Sequence, residues 1–297
     1  MIVHIRLSDD AATLHDVLIE RDIALPDGRT LHLYDTGTSG DADELAVFWH
    51  HGTPNVGTPP APLYAAASRL GVRWVSMDRP GYGGSTPLRG RDVASVAGDV
   101  GSAVDALGID TFAVYGHSGG GPHAIACGAL LRDRVLGVVS VSGPAPYDPD
   151  LSWLAGMAAG PAAGLRAAIE GRAAKERFEA NAGFDPTSFT TADYLALKGP
   201  WTWFDEVVGP AVAAGPGGLI DDDLAYVAPW GFDPADVRAP LLLVHGGDDR
   251  MVPCAHSHWL AERCPAAELW TEPDDGHLSV LRRAEDALSW LVDRARP

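Results

Sequence analysis

Phe112-Ala113-Val114-Tyr115-Gly116-His117-Ser118-Gly119-Gly120 is the stretch that decides the reading of this chain. A short apolar run, Phe112–Tyr115, leads straight into Gly-x-Ser-x-Gly, and the small-residue run Gly119–Leu131 behind it can form a helix. A serine on a sharp strand-to-helix turn presents its hydroxyl above the sheet. Glycines flank it because the tight turn brings backbones too close for side chains. Five residues of this kind are a weak signal alone; the strand before them and the helix after them supply the context.

Working outward, apolar runs of strand length alternate with helix-length segments. The runs are Leu45–Trp49, Val72–Met77, Phe112–Tyr115 and Val135–Val141, and between them lie Pro60–Leu70, Asp92–Leu107 and Gly119–Leu131. Short, nearly continuous apolar strands suit a parallel sheet covered on both faces, with right-handed βαβ crossovers. Upstream, alternating runs flank Pro26-Asp27-Gly28, which predicts a hairpin. The rhythm breaks after Gly143-Pro144-Ala145-Pro146 and returns with a strand at Pro240–His245, a helix near Cys254–Cys264, a strand at Glu268–Thr271 and a helix near Leu281–Arg294. The Gly-, Pro- and Ala-rich stretch between reads as an insertion between two strands. The expected architecture is α/β: a mostly parallel sheet with helices on both faces, a core of residues 1–146 and 237–297, and an inserted, mainly helical cap over 147–236.

A serine hydroxyl is a poor nucleophile until a base takes its proton. Of the 11 histidines, His277 follows Asp274-Asp275-Gly276 in a loop between the last strand and the last helix, on the rim that carries Ser118. His51, His117 and His123 read as neighbours of that rim, while His256 and His258 fall on a predicted helix where a solvated face is expected. The imidazole needs a carboxylate to fix its tautomer. Gly247-Asp248-Asp249-Arg250 leaves the strand Pro240–His245 on the same rim, so Asp249 is the candidate and Asp248 its rival. An oxyanion needs two N–H donors; Gly119 and Thr53, in His50-His51-Gly52-Thr53-Pro54, are placed to give them.

Taken in order, His51-Gly52-Thr53-Pro54, Asp78-Arg79-Pro80-Gly81-Tyr82-Gly83-Gly84-Ser85, the Ser118 turn, Asp249-Arg250-Met251-Val252-Pro253 and Gly276-His277 resemble the signature of the α/β-hydrolase fold superfamily. The likeness spans nearly the whole chain except its start and the insertion. It implies a Ser118–His277–Asp249 triad, prefers Asp249 over Asp248, and makes Asp78–Ser85 a structural turn. A serine in the turn argues against epoxide hydrolases and haloalkane dehalogenases, which use aspartate. The His50–Asn55 loop also lacks the HGGPG of typical prolyl aminopeptidases.

The implied activity is hydrolysis of a small, mostly apolar carboxylic ester or lactone. Amide or peptide hydrolysis, C–C bond hydrolysis and cofactor-free perhydrolysis are the alternatives that the same triad serves, and a non-catalytic ligand-binding member is a further one. Trp201, Trp203, Phe204 and His117 are the candidates to contact substrate. No metal or organic cofactor is expected. The net charge of −18, from 40 acidic and 22 basic residues, repels phosphate backbones and anionic lipid, so nucleic acid and membrane are not expected partners. Three cysteines form neither a disulfide framework nor a zinc pattern, and Cys127 reads as core. Without a signal peptide or an apolar span the expected location is cytoplasmic. The sequence leaves monomer and homodimer undecided.

Overall fold

The computed structural model describes residues 4–6, 18–40, 43–148 and 152–296. Its strands in chain order are His4–Arg6 (β1), Leu18–Ala24 (β2), Thr30–Asp35 (β3), Leu45–His50 (β4), Val72–Met77 (β5), Phe112–His117 (β6), Val135–Val141 (β7), Leu241–Gly246 (β8) and Ala267–Glu272 (β9). They form one sheet in the order β1-β2-β3-β5-β4-β6-β7-β8-β9. β1, β2 and β3 are antiparallel, β3 pairs antiparallel with β5, and every pairing from β5 to β9 is parallel. The predicted hairpin is β2–β3, turning through Gly28 at φ +86°.

The α-helices are Tyr64–Leu70 (α1), Ser95–Ala106 (α2), Gly120–Leu130 (α3), Ala159–Ile169 (α4), Arg172–Glu179 (α5), Thr191–Leu197 (α6), Phe204–Ala213 (α7), Gly217–Tyr226 (α8), Ala255–Arg263 (α9) and Ala284–Ala295 (α10). Alternate residues of each central strand serve opposite faces, as the two-residue period of a strand requires. Val47, Trp49, Ala113, Tyr115, Val139 and Val244 join α1 and α10 in one buried cluster. Phe48, Phe112, Val114, Val138 and Leu243 join α2, α3 and α9 in the other. Both faces are buried, which explains the unbroken apolar runs. Cys127 packs in the second cluster.

Between β7 and β8 the chain runs through α4 to α8. The sequence reading expected a mainly helical segment here but marked no individual helix; five α-helices occupy it among the described residues. Its glycines, prolines and alanines hide the apolar period that would have marked each helix. Among the described residues no helix is long and apolar enough to cross a membrane.

Candidate active site

Ser118 sits between β6 and α3 with φ +54°, in the left-handed region that costs an L-residue energy. Its N–H donates to the Val141 carbonyl at 2.8 Å, and its own carbonyl accepts from Gly121 N at 2.9 Å. Side chains at Gly116 and Gly120 would strike the backbone of Gly120 and of His50 respectively, so the turn admits only glycine at both positions. The backbone clamp holds the strained residue and aims its hydroxyl away from the sheet.

His277 Nε2 lies 2.9 Å from Ser118 Oγ, and its Nδ1 lies 2.8 Å from Asp249 Oδ2. With Nδ1 protonated, the ring donates to the carboxylate and leaves Nε2 free to accept the serine proton. Asp249 is buried and its Oδ1 accepts from Met251 N and Val252 N, both at 2.9 Å. Burial works against the Asp249 carboxylate, yet the charge of His277 and the hydrogen bond from His245 outweigh it and hold its pKa below the usual carboxylate range. Burial likewise disfavours a charged His277, but Asp249, with Asp193 adding, raises its pKa above 6.5. Asp248, the rival, is half exposed and pairs with Arg250 at 2.9 Å. The structure thus brings together Ser118, His277 and Asp249. His245 contributes a feature the sequence reading missed: from the end of β8 its Nε2 lies 3.2 Å from Asp249 Oδ2 and donates to the Val252 carbonyl at 2.7 Å.

Thr53 and Gly119 both border the cavity that holds Ser118. Among the described residues neither of their N–H groups donates to a backbone carbonyl. A buried ion network fixes the Thr53 loop. Asp222 on α8 accepts from Thr53 Oγ1 at 2.6 Å, Tyr82 Oη at 2.8 Å, Arg79 at 2.7 Å and Arg91 at 2.5 Å. Arg79 in turn donates to the Gly52 carbonyl at 3.0 Å and to that of His51. Tyr226 Oη, one helical turn on, donates to the Gly119 carbonyl at 2.8 Å and lies 2.9 Å from Thr53 Oγ1. The Asp78–Ser85 turn is therefore structural, as the sequence implied, but Arg79 also ties the loop to α8. Replacing Asp222 by alanine strands two buried guanidinium groups; unfolding in urea should show a loss of about 3–5 kcal/mol. A loss below about 1 kcal/mol would mean the network holds nothing together.

A second tie acts on the histidine loop. Asp193 on α6 is fully buried and accepts from Leu278 N at 2.8 Å and Ser279 N at 2.7 Å. A side chain on Gly276 would collide with its carboxylate. The inserted helices thus hold both the histidine loop and the Thr53 loop, through residues without a sequence motif.

The cavity above Ser118 measures about 320 Å³ and is lined mainly by apolar side chains, among them Trp153, Met157, Leu165, Phe178, Phe184 and Phe189. Trp201, Trp203, Phe204 and His117, expected at the substrate, do not line it. The strand period explains the difference. His117 follows Ala113 and Tyr115 onto the α10 face of β6, where its ring stands 5.3 Å from that of His277 and 5.7 Å from Phe204. Burial, with the neighbouring His277, lowers its pKa to about 3 and keeps it neutral. Trp203 packs on Trp49 at 6.2 Å and Trp201 on Phe204 at 5.9 Å, so the four residues extend the core beneath the site. His256 also departs from expectation: it is buried, accepting from Ala145 N at 3.0 Å and donating to the Trp153 carbonyl at 2.9 Å. His258 is exposed, as expected.

Residues 46–289 match the alpha/beta hydrolase family. One curated relative, a pimeloyl-[acyl-carrier protein] methyl ester esterase of Aromatoleum aromaticum, is 41% identical over 20% of this chain and 24% of its own. Another, the dihydrolipoyllysine-residue acetyltransferase component of the acetoin cleaving system of Cupriavidus necator, is 31% identical over 71% of this chain. The chain spans 53% of that protein. A putative carbamate hydrolase of a Caulobacter species is 28% identical over 80% of this chain and 85% of its own. Among solved structures, the enol-lactonase of Burkholderia xenovorans superposes with a TM-score of 0.67 at 20% identity, covering 93% of this chain and 100% of that one. The chain belongs to the alpha/beta hydrolase family.

Proposed function

We propose that this protein cleaves small, mostly apolar carboxylic esters or lactones through an acyl-enzyme on Ser118. The observation that carries the reading is the unbroken relay from Ser118 Oγ through His277 to Asp249, at 2.9 and 2.8 Å, opening on an apolar cavity. Ser118 Oγ attacks the carbonyl carbon as His277 Nε2 takes its proton. The Thr53 and Gly119 N–H groups receive the oxyanion. As the tetrahedral adduct collapses, His277 returns the proton to the leaving alkoxide. A water, deprotonated by the same ring, then releases the acid and restores the serine. Residues 147–236 act as a cap that walls the acyl pocket, and Asp193 and Asp222 hold it on the two loops that do the chemistry.

A series of p-nitrophenyl esters from acetate to decanoate tests the reading. Turnover should peak at short-to-medium chains and fall by decanoate, because the cavity offers only about 320 Å³. Absence of turnover with every ester would sink the proposal.

The raised pKa of His277 also sets a pH dependence. The ring must be neutral to accept the serine proton, so a raised pKa carries the inactive, protonated form to higher pH. The acid limb of kcat/KM should therefore have its midpoint above the 6.5 of an ordinary histidine. A midpoint well below that value would mean Asp249 does not act on the ring.

A further inference from the structure

One part of the cavity wall is not apolar. Lys175 on α5, one of two lysines in the chain, has a side chain only 2% exposed. Its Nζ is clamped 2.5 Å from Glu179 Oε1 and 2.6 Å from Asp223 Oδ2 on α8. The carboxylates are the more open partners, with side chains 14% and 16% exposed. All three residues line the cavity that holds Ser118, and Asp185 adds another carboxylate to the lining. Two carboxylates thus clamp one ammonium, Asp185 being held instead by Gly160 N and Thr187, and among the described residues no other lysine or arginine lines this space. Burial pushes the Asp223 carboxyl up to about 6 against the pull of Lys175.

A buried ion cluster in an apolar wall is poor value as a source of stability, because desolvation offsets most of the attraction. Its charge does discriminate between ligands: like charge is rejected and opposite charge gains a charge-assisted hydrogen bond. Resting on the ester-hydrolase reading, we propose that the Lys175–Glu179–Asp223 cluster selects substrates whose end remote from the scissile carbonyl carries an ammonium group. The substrate cation takes the cavity-facing oxygens of Glu179 and Asp223, with Lys175 behind them, while the apolar wall holds the carbon chain between the charge and the ester. Esters ending in a carboxylate are excluded.

The test compares methyl ε-aminocaproate, methyl heptanoate and monomethyl adipate, which differ chiefly in the charge of the far end. The amino ester should exceed the acid ester in kcat/KM by roughly tenfold or more, mostly through KM. The double variant E179Q/D223N leaves Lys175 as the sole charge of the cluster and should reverse the order. A structural tie between α5 and α8 would change turnover of all three alike and reverse nothing. Equal turnover of the amino and acid esters by the wild type, or preference for the acid ester, overturns the proposal whether or not the variant folds. Calorimetry of the same esters on Ser118→Ala separates the two readings. Preferential binding of the amino ester, with no turnover of any ester by the wild type, keeps the charge selection and overturns the hydrolysis. Binding without preference overturns the charge selection.

Discussion

Ser118→Ala is expected to lower kcat on ester substrates by about 10⁶-fold while leaving the protein folded. The size follows from what the hydroxyl supplies. On the proposed mechanism no acyl-enzyme forms without Oγ, and His277, 2.9 Å away, loses the serine proton it is placed to take. What survives on this proposal is the pull of the Thr53 and Gly119 N–H groups on a bound carbonyl. The fold is indifferent, because alanine keeps the Cβ that the turn already accommodates at φ +54°. The backbone bonds to Val141 and Gly121 do not involve the side chain. Urea unfolding should move by no more than about 0.5 kcal/mol. A variant retaining more than a hundredth of wild-type kcat would show that a different group attacks.

Asp249→Asn should cost about 10⁴-fold in kcat, as expected when the histidine is held in the wrong tautomer. The backbone decides which way the amide points. Met251 and Val252 both donate to Asp249 Oδ1, so the asparagine oxygen takes that place and the NH₂ faces His277. It then donates to Nδ1, moves the ring proton to Nε2, and turns a base into a donor facing Ser118. The carboxylate that raises the His277 pKa is also gone, so the acid limb of any residual activity should shift to lower pH. Asp248→Asn is the control: that side chain touches only Arg250 at the surface, and its loss should stay within about twofold. Equal losses from the two variants would contradict the assignment of Asp249.

What could be read before the fold was known follows from how local each signal is. β5 and β7 run over the residues the apolar pattern marked, and β6 only extends two residues further into the turn. Their side chains are buried on both faces, so hydrophobicity alone outlines them. Ser118, His277 and Asp249 were legible because each follows the carboxyl end of a strand. The tryptophans were not. An aromatic residue in an irregular segment looks the same whether it lines a cavity or fills a core, and Trp201 and Trp203 fill the core. Phe178, Phe184 and Phe189 line the cavity instead. Asp193 reaches Leu278 across 85 residues and Asp222 reaches Arg79 across 143, so no spacing rule could pair them. Lys175 gave one hint, its rarity; Glu179 stands four residues on along α5, but Asp223 joins them only when α5 and α8 pack together.

The most direct test of the central claim is mass spectrometry after treatment with a fluorophosphonate, an electrophile that reacts with activated serines. One adduct per chain should form, map to Ser118, vanish in Ser118→Ala and slow sharply in Asp249→Asn. A folded protein that stays unlabelled, or that carries the label on another residue, would contradict the account.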